Sequence, residues 1–336
     1  MNASITVLVP FRNAAATLDD ALAGVLARSD DALELLAIDD GSTDSGPERV
    51  RTWSRRDPRV RLLNAEGRGL VAALNMGLSH ARSGLVARMD ADDVAHPKRL
   101  ERQREHMLAH PEVSVLGTRV RAFTDGGSPG EGLLRYVAWQ NELVTAEAHR
   151  LARFIESPLC HPSVMMRREA LDEVGGYRDL DGPEDYELFL RFVERGHRLE
   201  KLPEVLLDWR HREGRATFDD ARYGLDRFRA TKAPYLALEL ARAAPRTLVI
   251  WGAGPTGRRL ARALAQHGQQ VVRFVDIDPQ KLGRTAQGAP IVAQDALDAA
   301  RDVVVAAVGA RGARALIGAA LTARGFREGE NAWFAS

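Results

Sequence analysis

Two periodicities take turns along the first hundred residues. Ile5–Pro10 (ITVLVP) is a compact, β-branched apolar run closed by proline, which predicts a buried strand. From Thr17 onward apolar residues recur at Leu18, Ala21, Leu22, Val25 and Leu26, a 3.6-residue stripe that predicts a helix capped by Thr17. Leu33–Ile38 predicts a second strand, Pro47 opens a helix carrying Val50 and Trp53, and Val60–Leu63 predicts a third strand. Leu70, Leu74 and Leu78 mark the next helix, and Leu85–Met89 the fourth strand. This rhythm predicts an α/β fold with a parallel sheet and crossover helices. Such sheets bind ligands at the carboxyl ends of their strands. Acids gather there in this chain: Asp39-Asp40 follows the second strand and Asp90-Ala91-Asp92-Asp93 the fourth.

The second cluster is the more informative. Three carboxylates within four residues repel one another, and desolvating them costs several kcal/mol each unless a cation compensates. A divalent metal holding a diphosphate answers that cost, because carboxylate plus phosphate is how Mg²⁺ or Mn²⁺ sits in phosphate-transfer sites. A solvated acidic loop is the alternative. Farther on, the pattern predicts a helix over Lys98–His110, a strand over Ser114–Phe123, a glycine-rich loop at Asp125–Gly132, a polar-faced helix over 138–156 and a strand over His161–Arg167. Pro183-Glu184-Asp185 opens a helix with Tyr186, Phe189, Leu190 and Val193 as its apolar stripe, a good helix start in its own right.

After a helical stretch at 218–243, interrupted at Pro234, Ala243–Arg246 reads as a linker. A new unit then begins. Thr247–Trp251 predicts a strand, and Gly252-Ala253-Gly254-Pro255-Thr256-Gly257 fits G-x-G-x-x-G ahead of a helix with Leu260, Ala263 and Leu264. Val271–Val275 is the next strand, and Asp276 stands nineteen residues past Gly257, near the spacing of a ribose-binding acid. The same glycines also suit a tight turn with close helix packing. A further strand at Val303–Val308 and a helix at Ala313–Arg324 complete a small Rossmann-like domain. The expected boundaries are 1–217, a helical extension and linker at 218–245, and 246–336.

Composition narrows the function classes. A formal net charge of +1 over 336 residues, with Arg interleaved among Asp and Glu, gives no reason to expect nucleic acid. The single cysteine, Cys160, rules out an internal disulfide and fits a reducing compartment as a small buried residue. The N-terminus lacks a basic, long apolar leader, and no apolar stretch approaches the ~20 residues of a membrane span. A cytoplasmic protein with at most peripheral membrane contact is the expectation.

Several motifs in series carry a resemblance. VLVPFRNAAATLDDAL, LLAIDDGSTD, RGLVAALNMGLSHARSGLVARMDADD and HPKRLERQ, followed by HPSVMMRREALDEVGGYRD and GPEDYELFLR, occur in the order seen in family 2 glycosyltransferases of the GT-A fold, over roughly residues 4–212. The resemblance implies a nucleotide-diphospho-sugar transferase fold in which Pro10, Arg12 and Asn13 line the nucleotide pocket with backbone and side-chain donors. Asp39 or Asp40 would accept from the base or ribose, although Asp39-Asp40-Gly41-Ser42 also reads as a plain turn. Gly67, Arg68 and Asn75 would lie near the donor. Asp90 and Asp92 would form the DXD motif, with Asp92 the direct ligand of Mg²⁺ or Mn²⁺ and Asp93 an extra carboxylate. Asp185 matches the family's base and Glu184 would hold the acceptor. His211, in LLDWRHR, is a candidate to complete the metal shell or else an ordinary histidine, with Arg210 and Arg212 as phosphate-binding alternatives.

The function implied is inverting, metal-dependent transfer of a sugar, UDP-linked, to an acceptor hydroxyl of a glycan or glycoconjugate. The alternative is a nucleotide-sugar or dinucleotide sensor without transfer. FVDIDPQKLG further resembles the small nucleotide-sugar-binding domain of some bacterial sugar acyltransferases, implying a dinucleotide or nucleotide-sugar at Gly252, Gly254, Gly257 and Asp276. An oxidoreductase driven by this domain ranks third, because no Tyr-x-x-x-Lys dyad is present.

Overall fold

The computed structural model describes residues 4–27, 33–211, 221–243 and 245–336. They form two compact units, one of residues 1–149 and 158–220 and the other of residues 150–157 and 221–336.

The first unit is built on an eight-stranded sheet. Strands β1 (Ile5–Phe11), β2 (Leu33–Asp39), β3 (Val60–Asn64) and β4 (Leu85–Arg88) pair in parallel, in the order β3-β2-β1-β4. Helices α1 (Leu18–Leu26), α2 (Gly46–Arg56) and α3 (Leu70–His80) make the crossovers, as the hydrophobic periods predicted. Both faces of this half are covered. Ile5, Val7 and Val9 face one core with Leu18 and Leu22, while Leu8 faces another with Leu74 and Leu78. That two-sided burial is why these strands read as unbroken apolar runs.

The rest of the sheet departs from the parallel expectation. It continues as β7-β6-β8-β5, with β7 (Met165–Arg167) antiparallel to both β4 and β6 (Val113–Phe123). β8 (Arg198–Arg210) is a thirteen-residue strand parallel to β6, and β5 (Val94–Ala95) pairs with it antiparallel. The stretch 138–156 is not one helix: α5 (Glu131–Glu142) and α6 (Ala146–Ala152) replace it. His161–Ser163 is a short 3₁₀ turn rather than the start of a strand. Helix α4 (Arg99–Ala109) follows the acidic cluster, and α7 (Arg168–Val174) and α8 (Glu184–Glu194) follow β7.

The second unit has a six-stranded sheet in the order β11-β12-β10-β9-β13-β14. These strands span Thr285–Ala286, Ala289–Val292, Arg273–Val275, Thr247–Trp251, Asp302–Ala306 and Ala332–Phe334 in that spatial order. Helix α9 (Leu225–Arg242) carries Pro234 without a break, whereas the expected start at 218 lies outside the described residues. Helices α10 (Pro255–Ala265) and α11 (Ala313–Thr322) complete the unit. Residues 150–157, expected in the first domain, are bound into this one. The buried Lys232 ammonium donates to the carbonyls of Phe154 at 2.6 Å and Ala335 at 2.8 Å, and Arg153 pairs with Glu239 at 2.8 Å. Phe154 meets Trp333 edge-on with ring centroids 5.6 Å apart.

The three motif glycines of this unit differ. A Cβ on Gly252, whose φ is +120°, would stand 2.7 Å from the Ala307 carbonyl, and one on Gly257 would overlap the Gly252 carbonyl. Gly254 has open space. Gly257→Ala is therefore expected to lower stability by about 1–3 kcal/mol or more through forced backbone shifts, whereas Gly254→Ala leaves the melting temperature within a degree or two of the parent's. Thermal unfolding of the two variants checks the contrast.

Candidate active site

Chain reversals after β1, β2 and β3 meet at one edge of the first sheet. Asn13 takes a left-handed φ of 53°, its N–H donates to Ser42 Oγ at 3.0 Å, and its Oδ1 accepts from the Thr43 N–H at 2.8 Å. Asp39 Oδ1 accepts from the Ser42 N–H and Asp40 Oδ1 from the Gly69 N–H, both at 2.9 Å. Each acid thus fastens a loop with one oxygen, and the turn and ligand readings of this motif are compatible. A Cβ on Gly41 would lie 3.0 Å from Gly67 Cα, so these loops touch through their glycines. Arg12 and Arg68 are exposed along this edge. Arg68 Nε reaches the Ala65 carbonyl at 3.2 Å, and the Arg12 guanidinium makes no hydrogen bond within the described residues. Pro10 is buried in β1 and has no N–H, so it contributes shape rather than the expected donor.

Strand β4 delivers the acidic cluster. One ligand oxygen each from Asp90, Asp92 and Asp93 lies within 4.8 Å of the others. Buried cations surround them. Arg88, 3% exposed, pairs with Asp90. Burial opposes the Arg88 charge, but the Asp90 carboxylate outweighs it and raises the guanidinium's pKa above its ordinary value. Arg99, 1% exposed at the start of α4, donates to the Arg88 carbonyl at 2.6 Å and to Gln103 at 3.2 Å. Gln103 in turn donates to the carbonyls of Leu116 and Ser163. Burial brings Arg99 down to about 10. Arg99 and Gln103 of the HPKRLERQ segment therefore form a buried brace behind the acids.

Strand β8 closes the other side. The Arg210 N–H donates to Asp93 Oδ1 at 2.8 Å, and its guanidinium reaches the Asp92 carbonyl at 2.7 Å and pairs with Asp125. Those bonds make Arg210 a strap across the turn rather than a free phosphate ligand. His211 is buried with its ring edge-on to Trp209, centroids 4.3 Å apart. It stands outside the carboxylate group that the described residues bring together, so the structure does not place it as a third ligand. Arg212 lies outside the described residues.

The second pair of acids opens α8. Pro183 sets the extended residue before the helix, and Glu184 is 2% exposed. Helix α8 is pinned by Arg191, which pairs with Glu187 at 2.6 Å and donates to the carbonyls of Val174 and Gly176. Burial first, and the Glu184 charge second, push the Asp185 carboxyl up to about 7, while Arg88 pulls it down. Tyr177 and His161 sit beside this pair, bonded Oη to Nε2 at 2.7 Å. Burial raises the Tyr177 phenol, and burial with Arg88 holds His161 well below its ordinary value, hence neutral. Asn75 has a structural task within the described residues. Its Nδ2 donates to the Tyr177 carbonyl at 2.8 Å and its Oδ1 accepts from the Tyr177 N–H at 3.0 Å, which makes it a clamp on the loop before α8.

The carboxylate cluster offers hard oxygen donors at the spacing a hard divalent cation needs, so it fits Mg²⁺ or Mn²⁺ and not a thiophilic metal. In the second unit a cavity of about 340 Å³ opens beside Gly254 and is walled mainly by apolar residues, among them Trp251, Ile277, Val308 and Leu316. Asp276 lines it, but its carboxylate already accepts from the Ala253 and Asp278 N–H groups and from Lys281 Nζ, each at 3.0 Å.

Residues 6–175 match the family described as Glycosyl transferase family 2, about half of the chain. The chain belongs to this family. The transferase is 31% identical over 207 residues to the putative glycosyltransferase EpsE of Bacillus subtilis, covering 60% of this chain and 71% of that one. It is 34% identical over 175 residues to the amylovoran biosynthesis glycosyltransferase AmsE of Erwinia amylovora, covering 52% and 63%. Among solved structures it is similar to S. aureus TarS 1–349 in complex with UDP-GlcNAc, with TM-score 0.57, 19% identity and 79% and 72% of the two chains covered. A second is the mannosyltransferase PcManGT of Pyrobaculum calidifontis with GDP-Man and Mn²⁺, at TM-score 0.50, 21% identity and 80% and 74% coverage. These likenesses support the GT-A fold. Residues 248–323 match the TrkA-N domain, in agreement with a Rossmann-like second unit. The protein is thus a glycosyltransferase enzyme with an appended small α/β domain, and among the described residues no helix is long and apolar enough to cross a membrane.

The sequence reading missed Arg88, Arg99, Tyr177 and His161. Arg88 was visible only as a charge within the apolar run LVARM, whereas Arg99, His161 and Tyr177 lie inside the quoted family motifs without a role assigned to them. Asn75 supplies the test of the clamp. Asn75→Ala leaves a backbone N–H and carbonyl of Tyr177 without their partners, which costs about 1–3 kcal/mol. The expected result is a lower melting temperature with nucleotide affinity, measured well below the transition, essentially unchanged.

Proposed function

We propose that the enzyme carries out an inverting, cation-dependent transfer from a nucleotide-diphospho-sugar, UDP-linked, to a hydroxyl of a glycan or glycoconjugate acceptor. The observation that carries this reading is the Asp90–Asp92–Asp93 cluster and the Glu184–Asp185 pair, of which Glu184 is buried and Asp185 half-buried, with Arg88 acting electrostatically on both groups. An inverting transfer needs those two features and no enzymic nucleophile. The acceptor oxygen attacks the anomeric carbon as the bond to the nucleoside diphosphate breaks. Asp185 takes the acceptor proton, the leaving diphosphate keeps the bonding electrons, and Glu184 orients the acceptor. Asp92 and Asp90 would hold the divalent cation, which supplies positive charge for the diphosphate when bound. Arg12 and Arg68 face the nucleotide, and the second oxygens of Asp39 and Asp40 accept from the base and ribose. The UDP-GlcNAc of the TarS structure and the GDP-Man with Mn²⁺ of the mannosyltransferase support a nucleotide-sugar donor and a divalent cation in this fold.

The raised Asp185 pKa sets the pH dependence. A base works ionised, so turnover should be full above about 7 and fall as pH drops through that value. Asp185→Asn keeps the shape but takes no proton, and general-base catalysis is worth roughly 10²–10⁴-fold. Nucleotide release from a donor panel should fall by at least about two orders of magnitude in kcat, with donor KM little changed. Asp92→Ala should instead weaken UDP binding in Mn²⁺ and leave it unchanged in EDTA. Preserved turnover in Asp185→Asn removes the base assignment. Absence of transfer by the parent with every donor, alongside UDP binding, favours the sensor reading.

The cavity beside Gly254 favours a second reading for the other unit, a site for a dinucleotide or nucleotide-sugar. Calorimetry on the full chain with NAD and with UDP-sugars should give a binding event that Gly254→Trp abolishes and Asp92→Ala leaves in place. Heat insensitive to Gly254→Trp with every ligand assigns the motif glycines to folding alone.

A further inference from the structure

Among the described residues of the first unit, Arg88, Arg99 and Arg191 are each at most 3% exposed, and two of them are structural struts. Arg99 bonds to Gln103, Met89 and the Arg88 carbonyl. Arg191 holds Glu187 with two nitrogens and the carbonyls of Val174 and Gly176 with a third. Arg88 behaves otherwise. Among the described residues its side chain bonds to Asp90 alone, and its buried Nε has no hydrogen-bond partner. Leaving such a donor unmatched is costly, so local packing does not explain a guanidinium here. Around it stand two carboxylates, Asp90 in contact and Glu184 nearby, together with the Tyr177 phenol and the neutral His161 ring, whose protonated form it disfavours.

We propose that Arg88 is the resident counter-ion of the aspartate cluster, a positioning residue that makes the binding of a divalent cation conditional on the nucleotide diphosphate. The inference rests on the cation reading of the cluster. With Arg88 on Asp90, a cation arriving alone meets a carboxylate that is already neutralised and a positive charge close behind it. A cation arriving with a diphosphate brings its own negative charge and meets no such penalty. Arg88 thus suppresses empty metal loading and couples cation affinity to the donor. Its positive charge also acts on Glu184 and Asp185.

The test uses the full chain and two probes, Mn²⁺ alone and Mn²⁺ with UDP, with free Mn²⁺ followed by electron paramagnetic resonance. Arg88→Met removes the charge while keeping an apolar stem. It should bind Mn²⁺ alone about tenfold or more tighter, as expected from removing a charge a few ångströms from the ion at protein dielectric. The gain in Mn²⁺ affinity on adding UDP should shrink by a similar factor. Arg88→Lys, which keeps the charge, should stay close to the parent. A merely structural arginine gives the opposite sign, weaker Mn²⁺ binding together with a lower melting temperature. If Arg88→Met does not fold, Arg88→Gln is read in its place. Unchanged or weaker Mn²⁺ affinity in a folded, uncharged variant overturns the proposal while leaving the cation site intact. A parent that binds no Mn²⁺ even with UDP overturns the cation reading itself.

Discussion

The structure of the first unit is governed by one electrostatic problem: acidic side chains must be held close together at the ends of buried strands. Asp92, Asp93 and Glu184 are each less than 10% exposed, and Asp185 is raised by burial. Charges taken out of water are tolerated only when partners replace the lost hydration. The fold answers with arginines placed from three directions. Arg88 comes from β4, Arg99 from α4 and Arg210 from β8, and each touches the turn that bears the acids or the backbone leading to it. The sheet topology follows from the same need. Strand β8, far along the chain, returns parallel to β6 so that Arg210 can close over Asp92 and Asp93.

Glu184 and Asp185 stand side by side at the start of α8, and burial first, with the Glu184 charge second, raises the proton affinity of Asp185 to about 7. The α8 helix dipole and the Arg88 charge limit that rise. Asn75 clamps the backbone of Tyr177 and Arg191 holds the Gly176 carbonyl, which fixes the loop that leads to this helix start. Precision in two carboxylates requires a rigid surround.

The second unit follows a simpler rule. Its glycine motif is mostly a matter of backbone proximity, because Gly252 and Gly257 permit β9 and α10 to pack where a side chain would collide. Only Gly254 leaves room, and the cavity opens there. Lys232 ties in residues 150–157 through carbonyl oxygens, so this domain is completed by a segment that precedes it by some seventy residues.

How much of this was legible beforehand depends on range. The strands from Ile5 to Arg88, the helices between them and the acids at their ends were written locally, because two-sided burial produces apolar runs and helical stripes that need no partner to be read. The family motifs likewise lie in contiguous stretches. What the sequence alone could not decide was everything set by a distant partner. The antiparallel β7, the long β8 and the membership of residues 150–157 depend on pairings between segments far apart in the chain. Asn75 was placed near the donor by the family resemblance and Arg210 was offered as a phosphate ligand, and only the tertiary structure shows their hydrogen bonds to the Tyr177 backbone and the Asp92 carbonyl. Arg88 was silent for the same reason: a charge inside an apolar run acquires meaning only when the fold brings Asp90 and Glu184 to it, since electrostatic interaction depends on distance in space and not along the chain.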